Sequence, residues 1–312
     1  MMHTVLNILI CLASHISAER LVLNTLSDYP LALCNDGTSA TYFYTEDALA
    51  NPNLLIFLQG GGACKSPEEC KKRCDKDKAP LCTAQQRKSI RGTTMWSRDP
   101  EENPPFHNFG RVYLHYCSSD VYSGTRNASA DTNSYYFYGK HIIEALLEDI
   151  LKSKPNVENM NQLVLIGTSA GAFGVALNCD FVAEKFHAVN KDLDVRCIAD
   201  SGDFYPPWVH KEGCDPYELM RQTTEFWQGE GDQSCLESTP EEHLECMIFP
   251  SYYNFIETPF MVVAHYIDTT VHGPCTPPLN QDQDFWDNWQ QEVYGMTLNY
   301  IEVTSSCSWS LI

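Results

Sequence analysis

Gly167-Thr168-Ser169-Ala170-Gly171 follows the pattern Gly-x-Ser-x-Gly. On a strand-to-helix turn this spacing lifts a serine hydroxyl above the edge of a sheet, where it can act as a nucleophile. The context fits, because an apolar run from Leu163 precedes it and a helical stretch from Gly171 to about Phe186 follows. The bland alternative is a small residue in a glycine-rich structural turn. Acyl transfer also needs donors for a developing oxyanion. Gly60-Gly61-Gly62, directly after the apolar run Asn53 to Leu58, can converge its backbone N–H groups on one point. Amides of this loop, with that of Ala170, the residue after the serine, are the candidate donors. A phosphate-binding loop is the rival use of such glycines, but no Gly-Lys-Ser/Thr follows.

A serine nucleophile needs a base and a group to orient it, in the chain order Ser, Asp or Glu, His. Asp268 closes the apolar run Phe260 to Asp268 and is the expected acid, with Asp200, at the end of Val195 to Asp200, ranked second. The base is the difficulty. No histidine follows His272, which lies four residues past Asp268 and is a weak alternative base. His265, inside the same apolar run, reads as a packed strand histidine.

Six apolar runs must position these residues: Asn53 to Leu58, Arg111 to Tyr116, Gln162 to Gly167, Val195 to Asp200, Pro259 to Asp268 and Leu298 to Ser305. They alternate with helical patterns at Tyr138 to Ser153, Gly171 to about Phe186 and Phe285 to Val293. Strands alternating with helices imply an α/β fold with a mainly parallel sheet flanked by helices. The segments 68–105 and 206–250, rich in Pro, Cys and charge, read as disulfide-held insertions or a cap.

Residues 1–18 hold an apolar run, Val5 to Ala13, too short to span a bilayer and followed by small residues, as in a signal peptide. Residues 19–312 are then expected to form a single domain, a monomer, with no membrane span. The net charge of −20 argues against nucleic acid or an anionic membrane as partner. Of fourteen cysteines, loss of Cys11 with the leader leaves an odd number, so at least one lacks a partner within the chain. Scattered cysteines in a secreted chain indicate disulfides, and their spacing does not suit a metal site, so neither metal nor cofactor is expected. Asn127-Ala128-Ser129 is a glycosylation sequon.

Five segments together resemble the pectin acetylesterase/Notum family of carboxylesterases: LLIFLQGGGAC with EEC, VYLHYCSSDVYSG, LVLIGTSAGAFGVALNCDFVAEKF, IADSGDF and PFMVVAHYID. The resemblance implies a secreted serine esterase with an α/β-hydrolase-like core and no metal. It places Ser169 as nucleophile, Asp268 as acid, Gly61, Gly62 and Ala170 in the oxyanion hole, and Cys34–Cys117 and Cys64–Cys70 as disulfides. Family members deacetylate pectin or, in the animal Notum branch, remove palmitoleate from Wnt. Gly62 stands where Notum carries tryptophan, which points to acetyl esters of polysaccharide, or another acyl ester, as the substrate. The family's histidine stands three residues after a cysteine, and here Ser310 takes that place after Cys307. A C-terminally truncated chain, or a catalytically impaired binding protein, is therefore expected alongside the esterase. Without the base, turnover should fall to the residue left by oxyanion hole and binding, about 10³–10⁴-fold over water.

Overall fold

Side chains alternate across a strand, so Leu54, Ile56 and Leu58 enter one core while Leu55 and Phe57 enter another. Such a strand must be covered on both faces, which is why it reads as a continuous apolar run. The computed structural model describes residues 18–48, 50–77, 79–85, 89–91, 94–153, 157–202, 216–241 and 243–263. Asp268, His265, His272, Ser310, residues 1–17 of the expected signal peptide (1–18) and the expected elements beyond residue 263 lie outside them.

Eight strands form one sheet: β1 Ala18–Thr25, β2 Thr41–Thr45, β3 Asn53–Leu58, β4 Ser89–Arg91, β5 Gly110–Leu114, β6 Gln162–Thr168, β7 Asp194–Asp200 and β8 Phe260–Val263. Their order is β4-β1-β2-β5-β3-β6-β7-β8. The five strands from β5 to β8 in that order run parallel, and β4, β1 and β2 form an antiparallel flank. The parallel strands match the runs read from the sequence. The antiparallel flank does not appear in that reading, because Thr41 to Thr45 is short and half polar.

Helix α2, Gly139–Ser153, and helix α3, Ala170–His187, cover the first core. α3 is apolar nearly all round since it lies between the sheet and a further layer of chain. A disulfide, Cys179–Cys197, staples it to β7. The second core is closed by Trp96 and Phe109, with Phe106 packed against it, all from the stretch that leads into β5. Buried Arg111 ties that stretch down by donating from Nη2 to the carbonyls of Ser97 and Phe106, each at 3.0 Å.

The two insertions carry more regular structure than their composition suggests. The first holds α1, Pro67–Lys72, capped by the Ser66 hydroxyl and followed by a wide helical turn over Arg73–Asp77. The second holds the amphipathic α4, Pro216–Trp227, then α5, Gln233–Ser238, and α6, Phe249–Tyr252. Among the described residues five disulfides form: Cys34–Cys117, Cys64–Cys70, Cys74–Cys82, Cys179–Cys197 and Cys235–Cys246. No helix among those residues is long and apolar enough to cross a membrane.

Asp232 caps α5, accepting from the Cys235 N–H at 2.9 Å, and is 1% exposed. Burial, reinforced by the nearby Asp180 and Glu237 carboxylates and opposed by Lys140, pushes its pKa from 3.8 up to about 7. An acid that is weaker in the folded than in the unfolded chain keeps its proton only while folded, across the window between those two values. Stability therefore falls as pH rises through that window and levels off above about 7. Asp232→Asn keeps an oxygen for the Cys235 amide and should make this slope shallower. Urea midpoints taken from about pH 4 to about pH 8 measure it; a variant with an unchanged slope would assign the proton elsewhere.

Candidate active site

Parallel strands deliver their C-terminal ends to one edge of a sheet, which is where open α/β sheets build their sites. β3 ends beside β6, with Leu58 opposite Gly167, and β6 ends beside β7, with Thr168 opposite Asp200. Three loops therefore start from one edge: the Gly60–Gly62 loop, the Ser169 turn and the segment after Asp200. β8 pairs Val263 with Asp200 and directs the chain toward Asp268, which lies outside the described residues.

Ser169 occupies the single residue between β6 and α3, at φ 55° and ψ −122°. Few non-glycine residues adopt such a conformation, and it costs on the order of 1–3 kcal/mol. The surroundings hold it there. The Ser169 N–H donates to the Asp200 carbonyl at 2.9 Å, and its carbonyl accepts from Ala172 at 2.8 Å. The Ser169 side chain is half-buried and caps no helical N–H. Ala170, as the first helical residue, has an amide outside the intrahelical ladder.

Two glycines let the loop and the turn approach. A Cβ on Gly171 would lie 2.1 Å from the Leu58 carbonyl oxygen, and one on Gly60 would lie 2.2 Å from that of Thr168. The latter would also stand 3.0 Å from the Ser169 Cβ, so the glycine loop passes directly over the serine turn. Gly62 follows at φ 70°.

Around this pair the chain buries polar groups that sequence reasoning did not single out. Asp120 is fully buried and accepts from the Ser118 hydroxyl at 2.6 Å and from the amides of Gly139 and Tyr122 at 2.8 and 3.1 Å. Burial lifts its pKa to about 6 against those hydrogen bonds. It organises a run in which Ser119, Val121 and Tyr122 all have positive φ. From there the Tyr122 hydroxyl donates to the Gln59 carbonyl at 2.9 Å, at the root of the glycine loop. The Trp227 indole donates to the Cys64 carbonyl at 2.7 Å, at the loop's far end. Arg73, 7% exposed, donates to the Gly61 carbonyl at 2.8 Å. Its sequence signal was its place three residues after Cys70, on the same helical face as a buried cysteine.

Four of the described histidines, His107, His115, His141 and His187, are engaged elsewhere. His115 is buried with Nδ1 against Gln59 Oε1 at 2.9 Å and Nε2 against the carbonyls of Pro80 and Thr83. His141 meets Glu144, and His187 meets the Leu193 carbonyl. Asp200, second in rank as acid, accepts from the Ser201 hydroxyl at 2.8 Å. No group of His, Cys, Asp and Glu among the described residues is clustered to hold a metal ion. A cavity of about 510 Å3, lined by Asp180, Glu184, His187 and Glu237, lies beside Asp194 and Pro259, where β7 and β8 begin. That is the opposite end of the strands from Ser169.

A mainly parallel sheet with a strained serine between strand and helix, faced by a glycine loop, defines an α/β-hydrolase-like fold. The pectinacetylesterase family model matches residues 17–308, and the chain belongs to that family. It is 33% identical over 244 residues to the human palmitoleoyl-protein carboxylesterase NOTUM and 32% identical over 243 residues to zebrafish notum1a, in each case 75% of this chain and 48% of the relative. Notum2 of Xenopus laevis is 30% identical over 292 residues, 91% of this chain and 56% of the relative. The chain thus spans about half the length of the curated relatives it matches. The crystal structure of the Wnt deacylase Notum from Drosophila superposes with a TM-score of 0.77 at 27% identity, covering 90% of this chain and 82% of that one.

The strain at Ser169 has a measurable consequence. Glycine takes a positive φ without a Cβ clash, although it also loses more freedom on folding. Ser169→Gly should raise the unfolding free energy by about 1 kcal/mol, while Ser169→Ala, which keeps the Cβ, should leave it near wild type. Urea unfolding of the three proteins makes the comparison; equal stabilities would remove the strain from the account.

Proposed function

We propose that this chain is a secreted serine carboxylesterase whose nucleophile is Ser169 and whose preferred substrate is a short acyl ester, such as an O-acetyl group on a polysaccharide. The observation that carries the reading is the strained serine turn lying directly beneath the Gly60–Gly62 loop. In the reaction, Ser169 Oγ forms a bond to the ester carbonyl carbon and loses its proton to a base. The negative charge collects on the former carbonyl oxygen, facing the amides of Gly61, Gly62 and Ala170. The carbon–oxygen bond to the alcohol then breaks, and the alcohol departs with a proton. Water repeats the sequence on the acyl-enzyme to release the carboxylic acid and restore Ser169.

Asp268 is the acid in this proposal; Ser310, at the position of the family's histidine, has no group that takes up a proton near neutral pH, which leaves His272 as the weak alternative base. The disulfides, and the exposed sequon at Asn127, support an oxidising, glycosylating route out of the cell. A second reading, removal of a long acyl chain from a protein, is favoured by the curated relatives, which are palmitoleoyl-protein carboxylesterases. Gly62, at the position of the Notum tryptophan, favours the short chain.

An ester series decides between them. Purified protein, lacking the family's histidine, should hydrolyse p-nitrophenyl acetate slowly, and Ser169→Ala should abolish what remains. A pocket misfit by even one methylene is worth about 10–200-fold. Under the short-acyl reading kcat/KM should therefore fall at least about tenfold from acetate to octanoate; the reverse order supports the long-chain deacylase. Wild type indistinguishable from Ser169→Ala on every ester supports a non-catalytic binding protein.

A further inference from the structure

A buried cation holds the glycine loop from behind. Arg73 directly follows α1, between the Cys64–Cys70 and Cys74–Cys82 disulfides, so its backbone is tethered on both sides. Its guanidinium uses all three nitrogens. Nη1 donates to the Gly61 carbonyl at 2.8 Å, Nη2 reaches the Gly62 carbonyl at 3.4 Å, and Nε donates to the Ser119 hydroxyl at 2.8 Å. The Ser119 hydroxyl in turn donates to Asn35 Oδ1 at 2.7 Å, and the Tyr116 ring lies 5.9 Å from the guanidinium carbon. Among the described residues no carboxylate pairs with Arg73, and burial pulls its pKa below the ordinary arginine value. A cation taken out of water is costly, so the groups that receive it carry meaning.

Those partners are peptide carbonyls. Each carbonyl shares its amide with the N–H of the next residue, and no peptide bond in the described chain is cis. The Gly61 carbonyl and the Gly62 N–H are thus two ends of one planar unit. A donor clamped on the oxygen turns the N–H to the opposite side and polarises it, making it a stronger donor. The Gly62 carbonyl stands in the same relation to the Ala63 N–H.

We infer that Arg73 is a positioning residue, whose guanidinium aims and polarises the Gly62 amide as an oxyanion donor opposite Ser169. The inference rests on the esterase reading of Ser169. It assigns a task to the charged, disulfide-held insertion that runs from α1 to Leu81: carrying a rigid cation to the back of the loop. A planar fork is needed because three acceptors are engaged at once; a lysine ammonium in that place reaches fewer of them.

The test separates the clamp from turnover. An alkyl fluorophosphonate forms a bond from Ser169 Oγ to phosphorus, expels fluoride and gives the serine proton to buffer, while the phosphoryl oxygen occupies the oxyanion position. The second-order labelling rate of Arg73→Met should fall about 10–100-fold below wild type, with Arg73→Lys between them, as for a displaced oxyanion donor. Saturating kinetics should place the loss in the bond-forming step, with the half-saturating reagent concentration changed less than about threefold. In parallel, glycine-selective 15N spectra should show the Gly62 amide proton moved upfield in Arg73→Met and restored in part in Arg73→Lys. Labelling at the wild-type rate by a folded Arg73→Met overturns the inference, as does an unmoved Gly62 resonance. If wild type itself does not label, the Ser169 reading fails, and the Gly62 resonance alone then decides the clamp.

Discussion

Everything at the candidate site depends on how closely two adjacent strand ends can approach. β3 and β6 pair in parallel register up to Leu58 and Gly167, so the loops that follow them start side by side. Any side chain at Gly60 or Gly171 would put a carbon about 2 Å from a backbone oxygen, well inside contact distance. With hydrogen atoms there instead, the glycine loop lies on the serine turn, and the serine backbone is held at a dihedral few residues accept. The strain at Ser169 and the bare backbone of Gly60 to Gly62 are two sides of one packing requirement.

That requirement explains the buried polar groups nearby. A loop of glycines has no side chains with which to hold its own shape, so its carbonyls are gripped from outside: Gln59 by Tyr122, Gly61 and Gly62 by Arg73, Cys64 by Trp227. Each grip reaches in from a different part of the chain. Tyr122 is set by the Asp120 knot, Arg73 by a segment closed by disulfides on both sides, and Trp227 by the end of α4 in the second insertion. Buried hydrogen bonds of this kind are strong because water does not compete for them. They also oblige the insertions to fold with the core.

The same arrangement separates what varies within the family from what the fold demands. The fold matches the Drosophila Notum structure with a TM-score of 0.77 at 27% identity, so the frame tolerates broad change in its side chains. Gly62, by contrast, lies at φ 70° in the loop beyond the paired strand ends, a backbone conformation that suits glycine.

Much of this architecture is legible in the residue order. The run Asn53 to Leu58 coincides with β3, Gln162 to Gly167 with β6 to within a residue, and the helix after Ser169 with α3, because buried parallel strands and their crossover helices have strong, uninterrupted apolar patterns. Gly-x-Ser-x-Gly between strand and helix is likewise local information. The flank β4-β1-β2 escaped that reading since its strands mix polar and apolar residues and owe their form to pairing more than to pattern. Arg73 and Asp120 escaped it for a deeper reason. By composition Arg73 is one more cation in a run with Lys71 and Lys72, and Asp120 one more acid after two serines. Only the folded chain takes these two charges out of water and gives them backbone groups as partners, and desolvation is a property of the surroundings that no single stretch of sequence contains.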